Sequence, residues 1–239
     1  MERLRNWLRE SRHTVVFTGA GMSTESGLPD FRSARTGLWQ GKDPARLAST
    51  QAMRHNREEF LAFYRMRIEG LLSCKPHSGH HLLAEWERQG VIQGIITQNV
   101  DGYHQHAGSQ RVAELHGTLT TLSCLRCGRK EKAARYLQEE GSVCECGGFL
   151  RPDVVLFGES LPEAAFEQAV AWTEPAELFL VLGSSLAVSP ANWFPQQAKE
   201  RGATLVIVNR EPTMLDHLAD LVIQDRLIGD VLKNLPLDF

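Results

Sequence analysis

The 239-residue chain has no apolar run approaching the roughly 20 residues that a membrane span requires, and its first stretch, MERLRNWLRESRH, is charged and amphipathic without the apolar core of a signal peptide. It also lacks an excess of basic charge: 26 Lys and Arg stand against 29 Asp and Glu, a formal net charge of −3. No general electrostatic pull towards nucleic acid or an anionic membrane surface arises from such a composition, so any basic patch has to be local. Internal repeats, low-complexity tracts and flexible linkers are missing as well. Cysteine is scarce outside one cluster, with Cys74 alone standing apart. The expectation is a cytoplasmic globular protein, one large domain or a large domain with a small satellite. Its partners are expected to be neither membranes nor, directly, nucleic acids.

What is there is a series of short, β-branched apolar runs with helical patterns between them: TVVF at 14–17, VIQGIIT at 91–97, LFLVLG at 178–183, TLVIVN at 204–209 and DLVIQ at 220–224. Continuous rather than alternating apolarity suits strands covered on both faces, which predicts an open α/β fold with a parallel sheet. Amphipathic stretches near 78–89, 162–173, 191–201 and 228–235 supply connecting helices, with Pro162, Pro190 and Pro195 near their beginnings. Two stretches break the alternation. Residues 35–77 read as helices and turns, residues 119–150 hold the cysteine cluster, and together they suggest a second, smaller lobe.

The first strand runs straight into Gly19-Ala20-Gly21, followed by helix-compatible residues to Gly27. Such a bare loop lets backbone N–H groups approach a pyrophosphate at the mouth of a parallel sheet. The third glycine comes three residues later than in G-x-G-x-x-G, and a tight turn with no ligand is the plain alternative. Further exits strengthen the dinucleotide reading: Gly183-Ser184-Ser185 follows one strand, Asn209-Arg210-Glu211 another, and Gln98-Asn99-Val100-Asp101 a third. Ligands of such sheets bind at the carboxyl edge, and amide and carboxylate side chains there suit ribose hydroxyls or a carboxamide.

His116, in Glu114-Leu115-His116-Gly117, is a candidate general base because imidazole titrates near neutral pH, although most histidines are structural or solvated. Cys124 and Cys127, then a gap of sixteen residues, then Cys144 and Cys146 offer four thiolates on two short turns. That number closes a tetrahedral structural zinc site, with no coordination position left for chemistry. A redox Cys-x-x-Cys is the competing reading, but it usually occurs once and at a helix start.

GAGMSTESGLPDFR, TQNVDGYHQHAG, ELHGTL, the four cysteines, RPDVVLFGE, GSSLAVSPA and VNREPT occur in one order across about residues 13 to 228. Together they resemble the sirtuins, the NAD-dependent protein-lysine deacylases. The resemblance implies a Rossmann-like NAD-binding domain made of residues 1–34, 91–118 and 151–239. It also implies a small domain made of a helical module, 35–90, and a zinc-ribbon module, 119–150. Gly19, Ala20, Gly21, Thr24, Phe31 and Arg32 would contact NAD from the first loop; Gln98, Gly183, Ser184, Asn209 and Glu211 would contact it from the others. His116 would be the general base, with Asn99 and Asp101 at the nicotinamide end and Phe31 shielding the reactive carbon from water. An acylated lysine peptide would enter between the lobes and pair as an added strand near Phe157, Gly158, Glu159 and Val188. The products would be nicotinamide and O-acyl-ADP-ribose.

On the helical stripe Phe60, Tyr64, Ile68, Leu71, a guanidinium also falls: Arg67. Snorkelling, or pairing with Glu69, would explain it. The sharper reading is by resemblance to a branch of the family that removes succinyl, malonyl or glutaryl groups, whose pocket carries Tyr-x-x-Arg with a small alanine upstream. Tyr64, Arg67 and Ala48 match, whereas Leu28-Pro29-Asp30-Phe31 and Val154-Val155-Leu156-Phe157 look more like general bacterial deacetylases. Acetyl-lysine is the expected substrate, with acidic acyl groups the alternative. Rival functions are ADP-ribose transfer to protein, a dehydrogenase, which lacks its acidic ribose-binding residue here, and a zinc-dependent module that merely senses NAD.

Overall fold

The computed structural model describes residues 1–33 and 37–235. In chain order its first half contains α1 (Glu2–Glu10), β1 (Thr14–Thr18), a 3-10 helix (Ala20–Ser26), α2 (Pro44–Leu47), α3 (Thr50–His55), α4 (Arg57–Ser73), α5 (Ser78–Arg88), β2 (Gly94–Thr97) and α6 (Tyr103–Ala107). Then come β3 (Val112–Glu114), β4 (Gly117–Cys124), β5 (Lys130–Lys132), a 3-10 helix (Ala133–Leu137), β6 (Leu150–Val154) and α7 (Glu163–Thr173). The chain closes with β7 (Leu178–Leu182), α8 (Trp193–Glu200), β8 (Thr204–Val208), a 3-10 turn (Asp216–Leu218), β9 (Leu221–Ile223) and α9 (Ile228–Lys233).

Six strands form one parallel sheet in the order β3-β2-β1-β7-β8-β9. The five apolar runs read from the sequence supply five of them; Val112–Glu114, too short to stand out as a run, supplies the sixth. Every residue of β1 and β7 is buried. Alternate residues feed opposite cores: Val16, Leu178, Leu180, Leu182, Val206 and Val208 pack on one face with α1, α5 and α9, and Val15, Phe17, Phe179, Val181, Leu205 and Ile207 pack on the other with α7 and α8. Each large apolar side chain so buried contributes roughly 1.5–3 kcal/mol. Strands packed on both faces have no polar alternation, which is why the runs read as continuous.

A third core joins Ala48, Phe60, Tyr64 and Ile68 to Leu122, Cys124, Tyr136, Cys144 and Leu150, so the helical and cysteine-bearing segments share one interior. A small antiparallel sheet, β5-β4-β6, belongs to it, and Arg65 Nε donates to the Tyr136 carbonyl at 3.0 Å across the two segments. The expected division at 90 is corrected by α5: Leu83 and Trp86 pack in the core beneath the large sheet, not with the helical module. The division expected between residues 34 and 35 lies outside the described residues.

The chain leaves β1 for β2 on one side and returns to β7 on the other, so the strand order reverses between β1 and β7. At such a switch point the loops leaving the two carboxyl ends diverge and open a crevice. The site is built there.

Candidate active site

The loop after β1 meets the loop after β7 backbone to backbone. Gly21 N–H donates to the Gly183 carbonyl at 2.8 Å and Gly19 N–H to Leu182 at 3.1 Å. A Cβ on Gly21 would lie 2.7 Å from Gly183 Cα, and one on Gly183 would lie 2.3 Å from Met22 N, with Gly183 itself at φ +65°. Glycine is therefore needed for this packing, and the Gly19 and Gly21 amides expected to face a pyrophosphate are instead spent on the neighbouring loop. Beyond Gly19 the chain winds into a 3-10 helix capped by Gly27, not into the α-helix of a dinucleotide fingerprint.

A cleft of about 960 Å³ opens between these loops and the small lobe. All eleven sequence-predicted cofactor positions line it: Gly19, Ala20, Gly21, Thr24, Phe31 and Arg32 from the first loop, and Gln98, Gly183, Ser184, Asn209 and Glu211 from the other exits. So do Ala48, Tyr64, Arg67, Phe157, Gly158, Glu159 and Val188, together with Asn99 and His116. Asp101 lines a smaller pocket of about 240 Å³ that shares Ala20, Phe31, Arg67 and Asn99 with the cleft.

His116 stands between β3 and β4 on a backbone pinned by Val155 N–H, which donates to its carbonyl at 2.9 Å. Gly117 comes next at φ +68°, where a Cβ would lie 2.1 Å from the Asp153 carbonyl oxygen, so only glycine lets β4 leave the histidine in this direction. The His116 Nδ1 lies 3.0 Å from the Gln98 carbonyl. A carbonyl can only accept, so Nδ1 carries the proton and Nε2 keeps its lone pair. Burial lowers the pKa of this ring below the usual histidine value, with Arg32 acting the same way and the Gln98 carbonyl opposing. A neutral base is wanted for proton abstraction, so the acid limb of a pH–rate profile is expected below the ordinary value of 6.5; a limb centred above it would show that another group is titrating.

At the inner end, Asn99 Nδ2 donates to the Gly19 carbonyl at 3.0 Å and to Ser23 Oγ at 3.3 Å. This fixes the amide's orientation and leaves Oδ1 without a partner among the described residues. Asp101 accepts from Ser23 Oγ at 2.7 Å and from Tyr103 N–H at 2.9 Å. Burial raises its pKa, while these two hydrogen bonds favour the ionised form. Ser23 is not among the site residues that the sequence predicts; a buried hydroxyl between two polar loops leaves no periodic signal.

Arg67 lies over the rings of Phe31, Phe63 and Tyr64 at 5.1, 5.7 and 5.9 Å. Trp39, also missed in the sequence, stacks on both Phe31 and Phe63 at 5.4 Å. Pairing with Glu69, one of the plainer alternatives for Arg67, is not made, and among the described residues no carboxylate lies within ion-pair distance of the guanidinium. Burial lowers the Arg67 pKa and pushes the Tyr64 phenol up to about 12. A cation held by aromatic faces is stabilised without being neutralised, so it remains able to take a carboxylate.

The four clustered sulfurs lie within 4.8 Å of one another, with Cys124–Cys146 at 3.5 Å and Cys127–Cys144 at 3.7 Å. Tetrahedral bonds of about 2.3 Å put ligand sulfurs about 3.8 Å apart. Two tight turns hold them: Gly128 N–H donates to the Cys124 carbonyl and Gly147 N–H to that of Cys144. Arg126 N–H reaches Cys124 Sγ at 3.4 Å, as suits a thiolate. The donor set fits a structural zinc, and none of the four lines the cleft.

The Sir2 family description matches residues 19–190, which include both glycine loops, His116 and the cysteine knuckles. The chain belongs to the Sir2 family. An NAD-dependent protein deacetylase 1 of Geobacillus kaustophilus is 61% identical over 230 residues, covering 96% of this chain and 95% of that protein. A solved Sir2 structure with a p53 peptide and NAD+ matches at TM-score 0.86 and 37% identity, covering 98% and 96% of the two chains. Another, holding a deacetylated p53 peptide and 3′-O-acetyl ADP-ribose, matches at 0.90 and 37%, with the same coverage. The Sir2 fold thus accounts for both the parallel sheet and the small lobe with its four cysteines. No helix among the described residues of this Sir2 protein is long and apolar enough to cross a membrane.

Proposed function

We propose that this Sir2 protein removes acyl groups, acetyl foremost, from protein lysine side chains at the expense of NAD. The observation that carries the reading is the placement of one imidazole: His116, tied through Nδ1 to Gln98 at 3.0 Å, lines a cleft whose walls are the dinucleotide loops on one side and Ala48, Tyr64 and Val188 on the other. NAD dependence of the similar deacetylase and the peptide–NAD+ and acetyl ADP-ribose complexes of the similar structures support it.

Bound NAD would supply the ribose that gives up nicotinamide and accepts the acyl group on a hydroxyl oxygen; with one water consumed, the products are nicotinamide, free lysine and O-acyl-ADP-ribose. The residues of the chain do the rest. A cleft of this volume, at the upper end of those that hold small molecules, has room for a dinucleotide beside an acyl-lysine. Gln98, Ser184, Asn209 and Glu211 would hold the sugars and phosphates, and Asp101, hydrogen-bonded by Ser23 and the Tyr103 amide, a carboxamide. Phe31 excludes water from the reacting carbon. His116 takes a proton from a ribose hydroxyl at Nε2, with the Gln98 carbonyl stabilising the imidazolium that results. Peptide backbone pairs near Gly158 and Val188, so side-chain selectivity is loose. Incubation with labelled NAD and acetyl-peptide tests the reading: label on free O-acetyl-ADP-ribose supports it, and label on protein supports ADP-ribose transfer instead.

One observation favours a wider acyl range. Arg67 sits beside Tyr64 and Ala48 with three aromatic faces and no carboxylate within ion-pair distance among the described residues, so the distal carboxylate of a succinyl group can take that place. Charge-assisted hydrogen bonds contribute about 1.5–3 kcal/mol. Arg67→Met is therefore expected to lower kcat/KM for succinyl-lysine peptide by roughly 10- to 150-fold and to leave acetyl-lysine turnover within a few-fold. Negligible succinyl turnover by the unaltered chain removes the acidic pocket from consideration.

A further inference from the structure

Backbone pairing near Gly158 and Val188 leaves side-chain selectivity loose, but both edges run directly into helices. α7 begins at Glu163, shortly beyond Glu159, and α8 begins at Trp193, shortly beyond Val188. A peptide leaving the two edges on that side passes over the first turns of both. Aromatic rings join those turns: Phe166 stacks on Trp193 at 6.2 Å and 15°, and the two rest against the fully buried Phe194 at 5.2 and 5.4 Å. Phe166 lines the cleft, and Trp193, 39% exposed, extends the aromatic face beyond it. Large apolar surface held rigid from below and left open above, continuous with a substrate cleft, is suited to binding.

The charge beside these rings has one sign. Glu163 and Glu167 line the cleft, and helical spacing puts both on one face of α7 with Phe166. Among the described residues neither carboxylate has a hydrogen-bond or ion-pair partner. The acidic side chain at the pairing edge itself, Glu159, is already taken by Arg151. The arginines that line the cleft, Arg32, Arg67, Arg210 and Arg226, belong to the loop after β1, to α4 and to the chain beyond β8 and β9. Neither α7 nor the stretch 186–195 contains a basic residue.

We propose that the first turns of α7 and α8 form a subsite for a basic side chain, arginine before lysine, on one side of the acylated lysine: Phe166 and Trp193 bed its flat face, and Glu163 and Glu167 supply the countercharge. A guanidinium is planar and weakly hydrated, so it stacks on aromatic rings while its N–H groups still reach carboxylates; an ammonium does this less well. Exposed carboxylates contribute modestly and are screened by salt, so the subsite sets a preference and not a requirement. It rests on the deacylase reading and decides which peptides that reaction favours.

Acetyl-lysine peptides carrying arginine, lysine, leucine, alanine or glutamate at one flanking position at a time test it. Both kcat/KM and peptide Kd are measured for the unaltered chain, for Glu163→Gln/Glu167→Gln and for Trp193→Leu. On one side of the acetyl-lysine, arginine is expected to exceed alanine by roughly three- to thirtyfold in kcat/KM, through KM, with lysine between them and glutamate below alanine. The advantage shrinks as salt rises from about 0.05 to about 0.5 M. In the double variant the arginine-to-alanine ratio falls by about two- to fivefold and glutamate is no longer disfavoured, while Trp193→Leu brings arginine down to lysine. Leucine equal to or better than arginine overturns the proposal. So does an arginine preference that is absent, equal on both sides, or unchanged in the double variant. If the unaltered chain turns over no acetyl-peptide at all, the deacylase reading fails instead, and the order of Kd values still decides the subsite.

Discussion

Replacing His116 by alanine is expected to lower steady-state deacylation by about 10² to 10⁴-fold, the usual worth of a general base, while NAD and acyl-peptide still bind. The asymmetry comes from its surroundings. Among the described residues the His116 side chain makes one hydrogen bond, to the Gln98 carbonyl, and a single such bond is worth about 1 kcal/mol of stability. The walls that bind the two ligands are formed by other residues. Calorimetric titration of each ligand beside a turnover assay separates the two effects. Retention of more than about a tenth of the activity, well above the range for a lost general base, would falsify the role assigned to this ring.

Removal of the metal held by the four cysteines is expected to have a comparably large effect by a different route. Structural zinc contributes about 10–16 kcal/mol of apparent binding free energy in small peptides, and where the site forms only on folding that energy is folding energy. Cys124 and Cys144 lie in the same core as Phe60, Tyr64 and Ala48. Loosening the knuckles therefore loosens the wall of the acyl pocket. Cys144→Ser, or prolonged chelation, should abolish metal content, lower Tm and lose peptide turnover together, whereas exchange of zinc for cobalt should leave the rate nearly unchanged because no coordination position is open. Full activity in a chain shown by elemental analysis to be free of metal is the contrary result.

Much of this site is legible in the sequence because its parts announce themselves locally. The buried parallel strands read as continuous apolar runs, since both faces are covered, and the cysteine knuckles declare themselves by spacing. The loop residues from Gly19 to Glu211 stand at strand ends, and the fold brings them to one crevice. β3 escapes because three residues carry too little pattern. α5 is read correctly from its apolar stripe as a helix connecting the sheet, where Leu83 and Trp86 pack; only the division implied by the resemblance groups it with the helical module. The aromatic stack of Trp39 on Phe31 and Phe63, and with it the setting of Arg67, joins residues whose contact no local periodicity encodes.

Periodicity and composition alone determined that this chain makes a doubly covered parallel sheet with a metal-stapled satellite, because those features depend on residues close together in the chain. Only the folded structure decided which nitrogen of His116 is free, why Gly21 and Gly183 must lack side chains, and where the proton of Ser23 goes. Each of those depends on a partner far away in the chain, and a hydrogen bond has a direction only once donor and acceptor have been brought together.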